Sequence, residues 1–335
     1  MKNKRWLLAR RPEGSLSAGD LALEESAIPA ITDGQLLVRN LYLSLDPTNR
    51  LWMSDREQYL PPVQIGDVMR GLTIGVVEAS KADGFAVGDI VQPAAGGWQT
   101  HVVAEAATTR RIDNEADIPL TAHLSVLGAT GLTAYAGLTE ICYPQAGESV
   151  VISAAAGAVG SIAGQLARVR GCRVVGIAGG AAKCGWLTDE LGFDGAIDYK
   201  SQDVGESLDR LLPDGIDIVF ENVGGSIMEA SFIRLRNQGR MAVCGLIASY
   251  NEAGPIPGPR DFGRILMRRL TVRGFIVIDY LRLARAADSE LRSLIRDGRL
   301  KWKDHVVEGI REAPAALERL FTGNHNGKLM VDLTA

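Results

Sequence analysis

Apolar residues in the first third of the chain fall in short runs of period two, broken by Gly, Pro and Asp. They are Arg5–Ala9, Leu36–Leu45, Thr73–Ala79, Asp89–Gln92 and Gln99–Ala104. Such alternation turns one face of a strand inward and the other outward, so residues 1–122 read as an antiparallel β domain. The texture changes at Leu120–Ile141, where apolar residues take helical spacing with Glu140 as the only charge. From Glu148 onward, short β-branched runs alternate with helical segments. Val150–Ser153 is followed by a helix to Arg170, Arg173–Ile177 by Lys183–Leu191, Ala196–Tyr199 by Val204–Leu212, and Asp217–Glu221 by Ser226–Leu235; further strands lie near Arg240–Gly245 and Leu270–Ile278. Six strands with intervening helices make an α/β fold with a doubly wound parallel sheet over residues 123–295. After a last helix at Leu281–Arg296, residues 296–335 carry two β-like runs, Trp302–Val307 and Lys328–Leu333, around a helix at Ala313–Phe321. A tail of that kind most simply returns to the first domain.

The length of 335 residues supports two cores, at about 150 residues per domain. With 46% hydrophobic and 23% charged residues, the composition is that of a globular protein and not of a disordered one. The net charge is −4 and the basic residues are scattered, which leaves no electrostatic footprint for nucleic acid or for an anionic membrane. A small molecule is the expected partner. No apolar run approaches the length of a membrane-spanning helix. The run Trp6–Ala9 is too short for the core of a signal peptide, so the chain reads as cytoplasmic. Cys142, Cys172, Cys184 and Cys244 stand 30, 12 and 60 residues apart, which matches neither a zinc knuckle nor a redox pair. No two of His101, His123, His305 and His325 stand at ligand spacing, so no metal is expected.

The chemistry-bearing motif follows the strand Val150–Ser153. The segment Ala154-Ala155-Ala156-Gly157-Ala158-Val159-Gly160 has the dinucleotide pattern G-x-G-x-x-G, with Ala155 in the first glycine position. It ends a strand and opens a helix, where free N–H groups and the positive end of the helix dipole hold a pyrophosphate. Gly157 lets the backbone approach the phosphates, and Gly160 lets helix and strand pack closely. A dinucleotide site specific for NAD needs a carboxylate after the second strand. None is present, because residues 161–188 contain no Asp or Glu. The small segment Ala178–Ala182 leaves room for a 2′-phosphate that Lys183 can meet as a point charge, so NADP(H) is the expected cofactor. The alternative for Lys183 is a solvated residue in the first turn of the next helix.

The sequence has no Tyr-x-x-x-Lys pair, no His-Glu-x-x-His, no Gly-x-Ser-x-Gly and no complete P-loop, which removes the reaction classes those motifs serve. Where a zinc alcohol dehydrogenase has a Cys or His ligand, this chain reads Arg70-Gly71-Leu72-Thr73-Ile74-Gly75. Hydride transfer here must then rely on hydrogen bonds to stabilise developing charge.

Nine strings, spread in order over nearly the whole chain, resemble the zinc-independent medium-chain reductases of the prostaglandin/leukotriene B4 and curcumin reductase type, also called alkenal double-bond reductases. They are LYLSLDPTNR (41–50), FAVGD (85–89), GLTAY (131–135), AAAGAVGS (154–161), DYK (198–200), ENVGG (221–225), CGLIASYN (244–251), RGFIV (273–277) and WKDHVVEGI (302–310). The resemblance implies a GroES-like β domain built from both ends of the chain, a central Rossmann domain and a homodimer. It also implies NADPH-dependent reduction of a carbon–carbon double bond conjugated to a carbonyl. By the same resemblance Lys183 and Tyr199 contact the 2′-phosphate, and Asn222 contacts the cofactor. Cys244, Gly245 and the residues to Tyr250 form one cofactor loop, and Phe275, Ile276 and Val277 another. The bland physical alternatives are that Asn222 caps the helix near Ser226 and that Phe275–Val277 is only core strand.

Tyr250 is the expected catalytic residue. Hydride addition at the β-carbon moves charge onto the carbonyl oxygen, and a phenol, with an ordinary pKa of about 10, donates a hydrogen bond to that oxygen at neutral pH. A loop tyrosine touching cofactor alone is the alternative. Two departures from the family pattern bear on the site. Thr48 stands where many members have Tyr, so with Asn49 and Tyr59 it frames a substrate pocket that is more open or more polar. His325 replaces an Asn that contacts cofactor, and a neutral imidazole supplies one hydrogen bond in its place. The leading expectation is an enone or enal reductase; the alternative is an NADPH:quinone oxidoreductase of the same superfamily. A nucleotide sensor or nucleic-acid-binding protein without turnover is disfavoured by the absence of a basic stripe. The apolar edge strands Met241–Gly245 and Leu270–Ile278 suggest pairing of two copies.

Overall fold

The computed structural model describes residues 2–335, which divide into two compact units. The first comprises residues up to Leu124, with Tyr250–Ala253 and Asp304–Ala335, and the second comprises Ser125–Ser249 and Gly254–Lys303. The sequence alone sets these boundaries after residues 122 and 295. The second unit runs on to Lys303 because Gln165 holds that stretch, donating to Lys301 O at 2.8 Å and accepting from Lys301 N at 2.9 Å.

The first unit opens with a hairpin of β1 (Lys2–Leu8) and β2 (Leu21–Ala27), paired antiparallel from Lys2↔Ala27 to Leu8↔Leu21. Five more strands follow: β3 (Gln35–Ser44), β4 (Thr73–Ser80), β5 (Ile90–Pro93), β6 (His101–Glu105) and β7 (Thr109–Arg111). A short helix, α1 (Thr48–Trp52), lies between β3 and β4. Strand β3 shows why the alternation was legible. Its Leu36, Val38 and Asn40 are buried while their neighbours are partly exposed, as a pleat with one face on a core requires.

The second unit is contiguous in chain order apart from four residues. Its strands are β8 (Ser149–Ile152), β9 (Arg173–Ala178), β10 (Gly195–Asp198), β11 (Ile216–Glu221), β12 (Leu235–Val243) and β13 (Thr271–Gly274), and all pair in parallel in the order β10-β9-β8-β11-β12-β13. Its helices are α2 (Ala129–Ala136), α3 (Ala158–Val169), α4 (Ala181–Gly185), α5 (Val204–Leu211), α6 (Gly225–Phe232), α7 (Arg264–Arg268) and α8 (Ala284–Arg296). From β8 the sheet grows outward to β9 and β10, and then on the other side to β11, so the strand order reverses between β8 and β11. The carboxyl ends of two such strands border the ligand crevice of a doubly wound sheet. The core beneath it is aliphatic and includes Val151, Val175, Ile177, Val219 and Met241, each at most 1% exposed.

The stretch Leu120–Ile141 differs from its helical pattern. It is a 3₁₀ turn at Leu120–Leu124, then α2, then a π-helical segment at Gly137–Cys142. The break arises at the carbonyl of Ser125, which accepts from Gly128 N, Gly131 N and, at 2.7 Å, Thr130 Oγ1. The chain then completes the first unit with β14 (Asp304–Glu308), α9 (Ala313–Thr322) and β15 (Lys328–Asp332). In that sheet the order is β14-β15-β3-β4-β5-β7, with β6 also on β3. No helix among the described residues is long and apolar enough to cross a membrane.

Candidate active site

The turn after β8 is fixed by its own main chain. Ala154 takes a left-handed conformation at φ 48°, so the sharp bend falls one residue before the Ala155 that occupies the first glycine position. Gly157 N donates to Ala154 O at 2.9 Å, and Ala155 N to Ile177 O at 3.0 Å. Gly157 is the N-cap of α3, with no side chain capping the helix and no acidic residue in its first turn. The N–H groups of that turn have no intrahelical acceptors, and Gly157, Ala158 and Val159 are partly exposed. At Gly160 a Cβ would lie 2.5 Å from Ala154 O and 2.9 Å from Ala155 Cα. Only glycine lets α3 sit this close to the turn.

At the end of β9 a glycine turn is held by a carboxylate from the next strand. Asp198, at the end of β10, accepts from Gly180 N at 2.7 Å and Lys200 N at 3.0 Å, and its other oxygen accepts from Ser201 Oγ at 2.9 Å. These bonds hold its carboxyl below the ordinary range, the Gly180 bond contributing most. The turn Gly179–Gly180 is thereby pinned to the segment that follows β10. A Cβ on Gly179 would lie 2.9 Å from Tyr199 Cε1 and 3.0 Å from Lys200 Cε. Lys183 is half-buried nearby, and burial followed by the Lys200 charge lowers its pKa. Two ammonium groups and a phenol therefore meet around one glycine turn. The sequence reading named Lys183 and Tyr199 and missed Lys200, although Lys200 adjoins Tyr199 in the string DYK.

Asn222 does not cap α6. The N-cap there is Gly224, with no side-chain cap, and Asn222 Nδ2 donates to Ser153 O at 2.7 Å. Cys244 N and Gly245 N both donate to Glu221 O, at 2.8 and 3.1 Å. Burial, then the Glu221 carboxyl, pushes the Cys244 thiol up to about 12, so it remains protonated at neutral pH. Phe275 lies just beyond β13, with its ring buried edge-on to Phe220 and Tyr280 at 6.1 Å each. Its side chain belongs to the core, which leaves the half-buried Ile276 and Val277 as the accessible part of that loop.

In the first unit, Thr48 begins α1 and its Oγ1 lies 2.5 Å from Tyr59 Oη. Burial raises the pKa of the Tyr59 phenol, with the Thr48 hydrogen bond opposing it. The Arg70 guanidinium stacks 5.2 Å from the Trp52 ring. Asn49 is buried at 1% exposure, accepts from Asp46 N at 2.7 Å and donates to Arg70 O at 3.1 Å. Both ends of its amide serve the scaffold. Tyr250 is half-buried at the start of the Tyr250–Ala253 segment, and the adjacent Asn251 donates to Ser15 Oγ at 3.4 Å. His325 lies beyond the end of α9, with Nδ1 3.0 Å from Arg319 O.

Residues 4–112 match the family described as N-terminal domain of oxidoreductase, and residues 158–292 the one described as zinc-binding dehydrogenase. The chain is 37% identical to NADPH-dependent curcumin reductase of Escherichia coli (strain K12), over 98% of this chain and 96% of that protein. It is 36% identical to 2-alkenal reductase (NADP(+)-dependent) of Nicotiana tabacum, over 99% and 97%. The chain belongs to the zinc-independent medium-chain reductases of this type. The structure of CurA from Vibrio vulnificus in complex with NADPH superposes with a TM-score of 0.93 at 38% identity, covering 98% of this chain and 99% of that one. For this reductase, the first unit is thus a GroES-like β domain and the second a Rossmann domain. Despite the second family's description, no group of three or more His, Cys, Asp or Glu among the described residues is placed to hold a metal ion. The residues present fit a dinucleotide bearing a 2′-phosphate. Gly160 in the phosphate turn admits no side chain, and the groups around Gly179 include two lysines, with the one carboxylate, Asp198, hydrogen-bonded to the backbone and to Ser201.

Proposed function

We propose that this reductase saturates the carbon–carbon double bond of α,β-unsaturated ketones and aldehydes with NADPH, through the residues assembled above. The observation that carries this reading is the whole-length likeness to NADPH-dependent curcumin and 2-alkenal reductases. The lysine pair at the Gly179–Gly180 turn supports it. On this reading Gly157–Gly160 hold the pyrophosphate, while Lys183, Lys200 and Tyr199 hold the 2′-phosphate. Asn222, Cys244, Gly245 and the main chain of Phe275–Val277 border the remainder, and His325 contributes one ring nitrogen. Bound NADPH supplies the hydride that the β-carbon receives.

Tyr250 donates a hydrogen bond to the carbonyl oxygen as the alkene electrons move toward it, which stabilises the enolate. A proton from water at the α-carbon then completes the saturated carbonyl product. Thr48 and Tyr59 present a hydroxyl pair to polar groups of the substrate. NADPH consumption by a 2-alkenal, an aryl enone and a lipid enone, with a saturated carbonyl product and slower turnover with NADH, is the expected result. Turnover of a simple quinone alone overturns the substrate class in favour of a quinone reductase.

The functional unit is a homodimer on this reading. Strand β13 is an edge strand whose four residues are all exposed, and Phe262, Leu266 and Met267 nearby in the chain are 69%, 72% and 67% exposed. Open edges and apolar patches of this kind are ordinarily covered. Light scattering should give twice the 35.9 kDa of one chain, and Leu266→Glu should return it to the mass of a single chain.

A further inference from the structure

Three of the turns assigned to the cofactor in the second unit converge on one residue, Glu221, that sequence reasoning missed. Glu221 ends β11 and is fully buried. Its Oε1 accepts from Val223 N at 2.6 Å, Gly224 N at 2.8 Å and Ser153 Oγ at 2.9 Å. Ser153 Oγ in turn accepts from Asn222 N at 2.8 Å, and Ser153 is the residue immediately before the left-handed Ala154. The main-chain carbonyl of Glu221 holds Cys244 N and Gly245 N. The loops lock further onto one another, with Ala248 N on Val223 O at 2.9 Å and Ile247 N on Asn222 O at 3.3 Å.

We propose that Glu221 is the positioning residue of the dinucleotide site. Its Oε1 sets the turn 222–224 and, through Ser153, the phosphate turn, while its carbonyl sets the turn opening at Cys244. This rests on the reading that the cofactor is held by these turns. The geometry supports it in two ways. First, the position lies where strand order reverses between β8 and β11, so one side chain reaches both lips of the crevice. Second, Oε2 is buried without a hydrogen-bond partner, while three donors crowd Oε1. Every polar contact of the side chain thus runs through one oxygen, and those contacts are the ones that hold the turns; burial pushes the carboxyl up from its ordinary range, and the bonds donated by Gly224, Val223 and Ser153 oppose that.

Because the acceptor oxygen carries the function, an amide should replace the acid. The test uses Glu221→Gln, Glu221→Ala and Ser153→Ala in the full chain, with Lys183→Ala alongside. NADPH affinity is read by fluorescence titration, KM values for NADPH and for an enone by steady-state kinetics, and folding by thermal denaturation. Glu221→Ala is expected to weaken NADPH binding by about 30-fold or more, from the loss of buried acceptors. Its KM for NADPH should rise while the enone KM changes by less than about threefold. Glu221→Gln should restore affinity to within about threefold of the parent, and Ser153→Ala should fall between them. Parental affinity in folded Glu221→Ala, or Glu221→Gln as impaired as Glu221→Ala, overturns the proposal. Should Glu221→Ala fail to fold, parental affinity in Ser153→Ala overturns it. A loss of affinity in Lys183→Ala with none in the Glu221 and Ser153 variants defeats the positioning role and leaves the cofactor reading intact. No loss in any of the four defeats both.

Discussion

In the second unit the groups offered to a ligand are mostly main-chain N–H groups on turns whose shape is set by close backbone packing. In the first unit they are side-chain hydroxyls, Thr48 and Tyr59, brought to 2.5 Å of one another from a short helix and an irregular loop. The difference lies in what each site tolerates. At Gly160 an added carbon would strike backbone 2.5 Å away, so residue identity is dictated by sterics. At Thr48 the neighbour is the far end of a side chain, the Tyr59 hydroxyl, so residue identity there is free to follow the substrate. A backbone-built site conserves what it binds, and a side-chain-built site can change it.

That contrast can be broken or sharpened by substitution. The largest effect should come from Tyr250→Phe, which removes a donor to developing charge and is expected to lower kcat by about 100- to 1,000-fold. NADPH affinity should be unchanged, as a fluorescence titration would check. A change in kcat below about threefold would return Tyr250 to the role of a loop residue. Gly160→Ala should destabilise the second unit by about 1–3 kcal/mol in denaturant unfolding. By comparison Gly157→Ala, whose Cβ would meet only Ala154 O at 3.1 Å, should leave unfolding within about 1 kcal/mol of the parent while still weakening NADPH. Equal destabilisation by both would end the steric account.

Lys183→Ala should weaken NADPH by about 10- to 100-fold, or 1.4 to 2.8 kcal/mol, and leave NADH nearly unaffected. Lys200→Ala should act in the same direction, and equal losses for the two cofactors would show that neither lysine reads the 2′-phosphate. The smallest effect is expected of Thr48→Val, which deletes the hydroxyl partner of Tyr59. It should raise the enone KM by about three- to tenfold, the range for one neutral hydrogen bond, without moving NADPH affinity.

Much of this was legible in the sequence for identifiable reasons. Period-two runs gave β3 and its neighbours, and alternation of short apolar strands with helices gave the parallel sheet. The phosphate turn was legible because sterics fix Gly160 whatever the rest of the fold does. Lys200 escaped because nothing in a linear reading brings the residue after Tyr199 over Gly179; the pairing of β10 with β9 does that. Glu221 escaped because a buried acid looks like any strand-terminal charge until the donors around it are counted in space. Asn49 was expected at the substrate, and its two amide bonds to Asp46 and Arg70 show how a polar residue beside a pocket is taken up by the scaffold. Phe275 was legible as part of a loop, and only packing shows that its ring turns toward Phe220.

The route of the chain through the first unit carries one more consequence, for the order of events at the ribosome. Strand β3 pairs with β6 over Gln35–Arg39, but its far half, Tyr42–Ser44, pairs only with β4 and with β15. The buried ammonium of Lys328 bonds to the carbonyl of Leu45, 283 positions earlier, and to Asp46 at 2.5 Å. While the intervening residues are being synthesised, one side of a central strand stands open and Asp46 has no counter-ion from β15. The second unit, nearly continuous in sequence, has all its strands in hand by Gly274. The domain that emerges first is therefore the last to close, and its unprotected strand edge is where a chaperone would have most to shield.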